Sequence, residues 1–242
     1  GKAVGRLWLL PRPSDDLRGP GRDAAATALR EAKEQLRRHL ELLEQRAASL
    51  HADATPLSAL GQMLDDTRLD KRVLKLLDER SLCLPRALCT AGAESLRNAS
   101  RGQDAYAVER ARTLSDLCEA LALVCAGEPS GQLPRQPVLA GERLTIHDTL
   151  LASRVSPAGI VLRRRGRAPL ELLLARLLGV PTISGVAGLF RWSDDGALLL
   201  VDADHGLLRV NPSRAEVALA RDERRRDLPR DPADLAQRLS RD

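Results

Sequence analysis

The sequence of 242 residues predicts an α/β domain that is interrupted by a bundle of helices. Residues 3–10 are typical of a β-strand that two prolines end, and residues 23–126 carry leucine and alanine at helical spacing. After residue 137 the pattern returns to short strands joined by helices. Because a single strand outside a sheet is hard to stabilise, we expect the first strand to join these later strands.

The composition argues against several classes of protein. Only 2% of the residues are aromatic, which disfavours a nucleic-acid partner because single-stranded bases are recognised by aromatic stacking. No apolar run approaches the ~20 residues of a membrane span, and no signal peptide opens the chain. The four cysteines form no CxxC pair, so we predict buried thiols in a reducing cytoplasm, and we predict neither a metal nor a cofactor. These cysteines are Cys83, Cys89, Cys118 and Cys125.

The first half divides into a strand, a linker and a helical subdomain. Residues 1–21 are predicted as the first strand and linker of the α/β domain, and residues 22–127 as the inserted helices. Leucines recur every seven residues from Leu29 to Leu50, which indicates one long amphipathic helix. Further helices are predicted at residues 57–66, 69–79, 85–98 and 104–126.

The second half is predicted as an α/β domain over residues 128–226, followed by a charged tail at 227–242. Alternating or apolar runs predict strands at residues 143–147, 159–163, 182–184, 197–201 and 207–210. Helices are predicted at residues 169–178 and 213–226, each with a proline close to its start.

Five local motifs follow one another in order over nearly the whole chain. They are Gly1–Gly5 for G-x-A-x-G, residues 61–66 for the end of F-E-A-H-x-x-L-L-x-D, Tyr106 to Asp116 for Y-x-x-E-R-A-x-D-x-x-D with Thr113 in place of the first Asp, Ala175 to Gly185 for A-R-x-L-x-I-P-A-I-x-G, and Asp195 to Pro212 for D-G…V-N-P. Together they resemble the N-terminal half of enzyme I of the bacterial phosphoenolpyruvate-dependent sugar phosphotransferase system. The resemblance implies a helical subdomain that binds the phosphocarrier HPr and a swivelling phosphohistidine-type α/β domain.

The chain departs from this family at the residue that matters most. The family's phosphorylation loop reads G-G-R-T-S-H-T-S-I-M-A-R, and the aligned stretch here is residues 165–176, with Leu170 at the histidine position. Phosphoryl relay needs a nucleophile such as imidazole, and leucine has no lone pair. We therefore expect no catalytic residue at this position, and we expect Glu171 to lack an activator.

An arginine-rich loop and a histidine are further candidates for phosphate chemistry in this part of the chain. Arg165, Gly166 and Arg167 form a candidate phosphate-site loop, since guanidinium groups bind phosphate well. His147 aligns near an acidic family loop that in the family approaches the active histidine, and it is the candidate for a substitute nucleophile. His39 and His51 are expected on the solvated surface, and His205 in a tight turn.

The resemblance also implies a face for an HPr-like phosphocarrier protein or domain. Its candidate residues are an apolar patch with an acidic rim: Leu57, Leu60, Met63, Leu64, Asp65 and Asp66. The same apolar residues also suit the core of the bundle.

Two functions remain open on the sequence. The first is a non-catalytic, enzyme I-like module that binds or regulates an HPr-type partner. The second is an active phosphoryl-transfer module of a phosphotransferase system, or of the dihydroxyacetone kinase assembly in which such halves also occur. Whether the chain is an enzyme is left undecided by the sequence.

Overall fold

The computed structural model describes residues 1–13, 18–102, 104–127, 135–166, 168–192 and 194–227. The chain begins with strand β1 (Lys2–Leu9) and leaves the sheet for five helices. It returns at strand β2 (Val138–Gly141), which lies parallel to β1 with Leu7 opposite Val138. The first strand therefore joins the later strands, as the sequence predicts.

The five helices between these strands follow the leucine pattern closely. They are α1 (Arg22–Ser49), α2 (Thr55–Leu64), α3 (Thr67–Arg80), α4 (Leu84–Ala99) and α5 (Ala105–Ala126). The heptad leucines Leu29, Leu36 and Leu43 of α1 are buried, and Asp66 and Asp104 cap α3 and α5 through hydrogen bonds to backbone N–H groups. The predicted helices in this part of the chain are thus confirmed.

Helices α4 and α5 pack closely at Gly92. A Cβ atom at this position would lie 3.0 Å from the Cα of Ser115 and from the Cβ of Cys118. Glycine is needed here because the backbone of α5 approaches that of α4.

The remaining elements alternate between strands and helices. They are α6 (Ile146–Val155), β3 (Gly159–Leu162), α7 (Pro169–Leu178), β4 (Thr182–Ser184), α8 (Leu189–Trp192), β5 (Leu198–Asp202), β6 (Leu207–Val210) and α9 (Arg214–Asp227). The sheet has the order β4-β3-β2-β1-β5-β6. β1 through β4 are mutually parallel neighbours, whereas β5 runs antiparallel to β1 and to β6.

The strand predicted at residues 143–147 is wrong, and β2, α6 and α8 were not predicted. Thr145 and Asp148 form a capping box, in which each side chain accepts a hydrogen bond from the other residue's backbone N–H. This box starts α6 at Ile146, so the apolar–polar alternation of Leu144 to His147 belongs to a helix start.

One face of the sheet packs on the helical part and the other on a smaller cluster. Leu139, Ile160 and Leu162 share a continuous core with α1–α5, α6 and α7. Ala3, Leu7 and other residues form a second core on the opposite face, and α9 packs against β1. The predicted limits of the two domains stay predictions, and residues 228–242 of the predicted tail lie outside the described residues.

Within the described part of the chain, no helix combines the length and the apolar character needed to cross a membrane. None of the four cysteines, all of which lie among the described residues, forms a disulfide bond, and burial raises the pKa of the Cys118 and Cys125 thiols to about 12. These thiols are therefore protonated and unreactive at neutral pH.

Candidate functional site

A cleft of about 290 Å³ lies between the helical part and the α/β part. Helices α2 and α5 form one wall. The loop before α6, the loop after β3 and the first turn of α7 form the other wall. Leu170 lies in this cleft, as does Leu60 of α2.

Leu170 is the second residue of α7. Ala168 precedes the helix in an extended conformation without a side-chain cap, and Pro169 occupies the first helical turn. The leucine side chain is half-buried and packs against the main core. Position 170 therefore presents hydrocarbon to the cleft.

Glu171 is tied to the loop before α6. Its Oε1 accepts a hydrogen bond from the backbone N–H of Leu144 at 3.2 Å, and burial raises the pKa of the Glu171 carboxyl against the opposing attraction of Arg143 and Arg164. A Cβ atom on Gly166 would lie 2.8 Å from Oε2 of Glu171. Gly166 thus allows its loop to pass close to this carboxyl group.

Arginine side chains dominate the polar lining of the cleft. Arg112, Arg143, Arg164 and Arg165 all line it. Arg165 lies with its aliphatic stem against Gly185, and both Arg164 and Arg165 are exposed. Of the predicted phosphate-site loop, Arg165 lines the cleft and Gly166 lies beside Glu171, whereas Arg167 lies outside the described residues.

Arg143 connects the two walls of the cleft. Its Nη2 contacts Oδ1 of Asp116 and lies 3.8 Å from Oε1 of Glu119, both on α5. Its Nε is buried without a hydrogen-bond partner among the described residues. Burial raises the pKa of Asp116 to about 7, although Arg143, Arg12 and Arg112 act in the opposite direction.

Arg12 and Asp148 form a second cross-connection behind the cleft. Nη1 and Nη2 of Arg12 donate to the two carboxylate oxygens of Asp148 at 2.8 and 3.0 Å, and Nη2 also donates to the carbonyl of Arg143 at 2.8 Å. The sequence reasoning missed this pair. The T-x-x-D capping pattern at Thr145 was the signal that could have pointed to Asp148.

The histidines lie away from the cleft. His147 is 6% exposed in the first turn of α6, it does not line the cleft, and burial lowers its pKa to about 4. Its Nδ1 is buried with no partner among the described residues.

The expectation of a solvated His39 is wrong, because it is buried and its Nε2 lies 2.9 Å from the hydroxyl of Thr149 on α6. His51 is exposed, and His205 pairs with Asp202 at a turn.

The six predicted partner residues separate into two groups. Leu57, Leu60 and Leu64 are 0–1% exposed in the core, so in this structure they are not available to a partner. Met63, Asp65 and Asp66 lie at the surface or half-buried. Asp65 pairs with Arg37, and Asp66 pairs with Arg68 at 2.8 Å.

Met63 and Asp66 border an open groove of about 580 Å³ between α3, α4 and α5. Its floor is apolar, with Leu69, Ala91 and Leu114, and Glu94 on its rim is held by Arg72 and by Arg80.

Comparison with known sequences agrees with this architecture. The family described as "PEP-utilising enzyme, N-terminal" matches residues 1–110. The phosphoenolpyruvate-protein phosphotransferase of Haloferax volcanii is 37% identical over 117 residues, which cover 46% of this chain and 21% of that protein. Multiphosphoryl transfer protein 1 of Escherichia coli is 28% identical over 167 residues, covering 66% of this chain and 20% of that protein. The chain thus spans about a fifth of the length of these curated relatives.

Solved structures share the fold over almost the whole chain. The solution structure of an enzyme I N-terminal protein has a TM-score of 0.60 at 20% identity and covers 92% of this chain and 94% of that one. The N-terminal domain of the nitrogen enzyme I has a TM-score of 0.61 at 22% identity and covers 93% and 94%. Residues 1–110 therefore match the N-terminal domain of PEP-utilising enzymes, and the chain as a whole has the fold of an enzyme I N-terminal domain.

Proposed function

We propose that the chain is an enzyme I-type module of a phosphotransferase system that has lost its phosphoacceptor histidine and binds or regulates an HPr-type phosphocarrier. One observation carries the proposal. Leu170, which takes the histidine position in the resemblance, lies in the first turn of α7 and lines the cleft. A leucine side chain has no lone pair with which to accept a phosphoryl group.

The carboxylates of the cleft are poor substitutes for the histidine. Glu171 is held by the backbone N–H of Leu144, and burial raises its pKa. When protonated it is a weak nucleophile, and when ionised it repels the incoming phosphoryl oxygens. Among the described residues that line the cleft there is neither a histidine nor a cysteine.

A phosphorylation assay tests the loss of the phosphoacceptor. The chain is incubated with phosphoenolpyruvate, Mg²⁺, intact enzyme I and HPr, and acid-labile phosphate is measured on each protein. We expect label on enzyme I and HPr, which are the internal positive controls, and none on this chain. Label on this chain would contradict the proposal.

The variant His147→Ala makes a positive result interpretable. If the chain were labelled and the label disappeared in His147→Ala, the module would transfer phosphate through this histidine, which is the alternative function. If the label persisted in that variant, His147 would be excluded as the acceptor.

The groove between α3, α4 and α5 is the proposed docking surface for the phosphocarrier. It combines an apolar floor with a charged rim, as transient protein interfaces do. Several of its charges are already paired within the chain, such as Glu94 with Arg72 and Arg80. Docking is therefore expected to depend on apolar contact at Met63 and Leu114 more than on the acidic rim.

A titration of the labelled chain with HPr, followed by NMR, tests the docking surface. We expect shifts at Met63 and around α3–α5, and Met63→Asp is expected to weaken binding by about tenfold or more. Leu219→Asp is the matched control, because Leu219 is 61% exposed on α9, away from the groove. Equal binding by the two variants would remove the groove from the proposal.

A further inference from the structure

We propose that the cleft lined by Leu170 reversibly binds a phosphate group, carried either by a small phosphate monoester or by a phosphorylated side chain of a partner. This inference rests on the proposed function, because only a cleft that is not itself phosphorylated stays free for a phosphate from elsewhere. No bond to the protein is formed or broken in the binding that we propose.

Three arginines of the cleft are available to an anion. The side chains of Arg112, Arg164 and Arg165 make no hydrogen bond or ion pair with another described residue, whereas Arg163 beside them pairs with Glu142 at 2.7 Å and does not line the cleft. A guanidinium group binds phosphate through two parallel N–H···O contacts. The chain therefore places three unpaired guanidinium groups around one cavity.

The acidic side chains of the cleft only partly offset this charge. The described lining residues include four arginines and three carboxyl groups, those of Glu109, Asp116 and Glu171. Asp116 is already engaged by Arg143, and burial raises its pKa to about 7, so it is partly protonated at neutral pH. Burial raises the pKa of Glu171 as well. The cleft thus keeps an excess of positive charge.

Size and lining narrow the class of ligand. A cavity of about 290 Å³ lies at the small end of small-molecule sites, which span about 300–1,000 Å³. The rest of the described lining is largely apolar, with Leu60, Leu144 and Leu170, and it includes no aromatic ring on which a base could stack. These features suit a phosphate on a short carbon chain and disfavour a nucleotide.

A binding experiment with matched variants tests the inference. The chain is titrated with inorganic phosphate, with glycerol 3-phosphate and with a phosphohistidine peptide. Sodium chloride at equal ionic strength serves as the blank. We expect saturable amide shifts at Leu144–Ile146, Arg164, Arg165 and Glu171 with the phosphate ligands and none with sodium chloride.

The double variant Arg164→Gln/Arg165→Gln is expected to raise the dissociation constant by about tenfold or more, because two charge-assisted contacts are removed. Arg163→Gln removes one positive charge from the neighbouring, ion-paired position and is expected to bind as the wild type does. Equal binding by the two variants, or no saturable shifts in the wild type, would overturn the inference. Tighter binding of glycerol 3-phosphate identifies a metabolite as the source, and tighter binding of the peptide identifies a partner protein.

The two proposals fail in different ways. Covalent, acid-labile label on the chain contradicts the proposed function, whereas absence of reversible phosphate binding to an unlabelled chain contradicts only the inference. An unlabelled chain that binds phosphate through Arg164 and Arg165 supports both.

Discussion

Asp148 is a fully buried carboxylate that accepts hydrogen bonds from Arg12 and from both the backbone N–H and the hydroxyl of Thr145. A buried charge of this kind is tolerated only because it is fully paired. The same residue completes the capping box of α6 and binds Arg12 of the linker that follows β1, and Arg12 in turn donates to the carbonyl of Arg143. Removing this carboxylate therefore removes contacts of α6, of the loop before α6 and of the linker after β1.

We predict that Asp148→Ala lowers the free energy of unfolding by about 3 kcal/mol, because it removes the carboxylate that neutralises the Arg12 guanidinium and accepts the backbone N–H and hydroxyl of Thr145. Urea denaturation measures the change. Glu41→Ala, on the exposed face of α1, is the control and is expected to stay within about 0.5 kcal/mol of the wild type. A loss below 1 kcal/mol in Asp148→Ala would show that the pair contributes little.

The buried His39 predicts a dependence of stability on pH. Burial lowers its pKa to about 4, below the value of about 6.5 in an unfolded chain. Between these values the unfolded state binds the proton more readily, so the stability from neutral His39 is present above pH 6.5 and is lost as the pH falls toward 4.

The comparison of wild type with His39→Gln isolates this contribution. From pH 7 to pH 5 the wild type should lose about 2 kcal/mol more stability than the variant, in which the amide can still bond Thr149. The opposite contribution of Asp116, whose raised pKa favours folding at lower pH, is shared by both proteins and cancels. Parallel stability curves for the two proteins would contradict the assignment.

At the scale of elements, the sequence predicted helices α1–α5, α7 and α9 and strands β1 and β3–β6, and it missed β2, α6 and α8. The heptad leucines of α1 fix its buried face, and the N-cap Asp66 and Asp104 mark helix starts by local chemistry. β2 has four residues, all buried, so it shows no alternation by which a strand is recognised.

The sequence pointed to a phosphate site only at the start of α7 and in the loop before it, and it did not predict the wall that α5 forms. The ion pair of Arg143 with Asp116 joins residues far apart in the chain, and no spacing in the sequence reports such a contact.

Two helical glycines give a test of close packing between elements. Gly61 of α2 has open space where a Cβ would lie, so Gly61→Ala should raise the free energy of unfolding by about 0.5–1 kcal/mol through helix propensity. A Cβ atom on Gly92 of α4 would lie 3.0 Å from the Cα of Ser115 on α5. Gly92→Ala should therefore lower the free energy of unfolding by about 1–2 kcal/mol, despite the same gain in helix propensity. Thermal or urea unfolding measures both, and equal effects would refute the close contact.

At the scale of the whole molecule, side-chain contacts join the helical part to the α/β part. His39 meets Thr149, Arg143 meets Asp116, and Arg176 of α7 donates to the carbonyl of Leu50 at 3.2 Å. The contact of Arg143 with Asp116 lies in the cleft lining, whereas the contacts of His39 and Arg176 join the two parts away from the cleft. The geometry of the cleft therefore depends on how the two parts are held together.

The position of β1 predicts an order of folding. Its neighbours β2 and β5 follow it in the chain by more than a hundred residues, whereas the helices between them pair mostly with sequence neighbours such as α4 with α5. Local contacts form faster than distant ones. In pulsed hydrogen exchange during refolding, amides of α4 and α5 should be protected before those of β1, and simultaneous protection would contradict this order.

The late pairing of β1 also leaves this strand without partners while the chain is being synthesised. β1 leaves the ribosome with unpaired backbone N–H and C=O groups on both edges, because its partners β2 and β5 are made only after the helices. Gly5, Arg6 and the prolines that follow at Pro11 and Pro13 then act against premature association, since glycine, charge and proline all weaken edge-to-edge pairing. Until β2 and β5 have been synthesised, β1 is thus open to misassembly and to capture by chaperones.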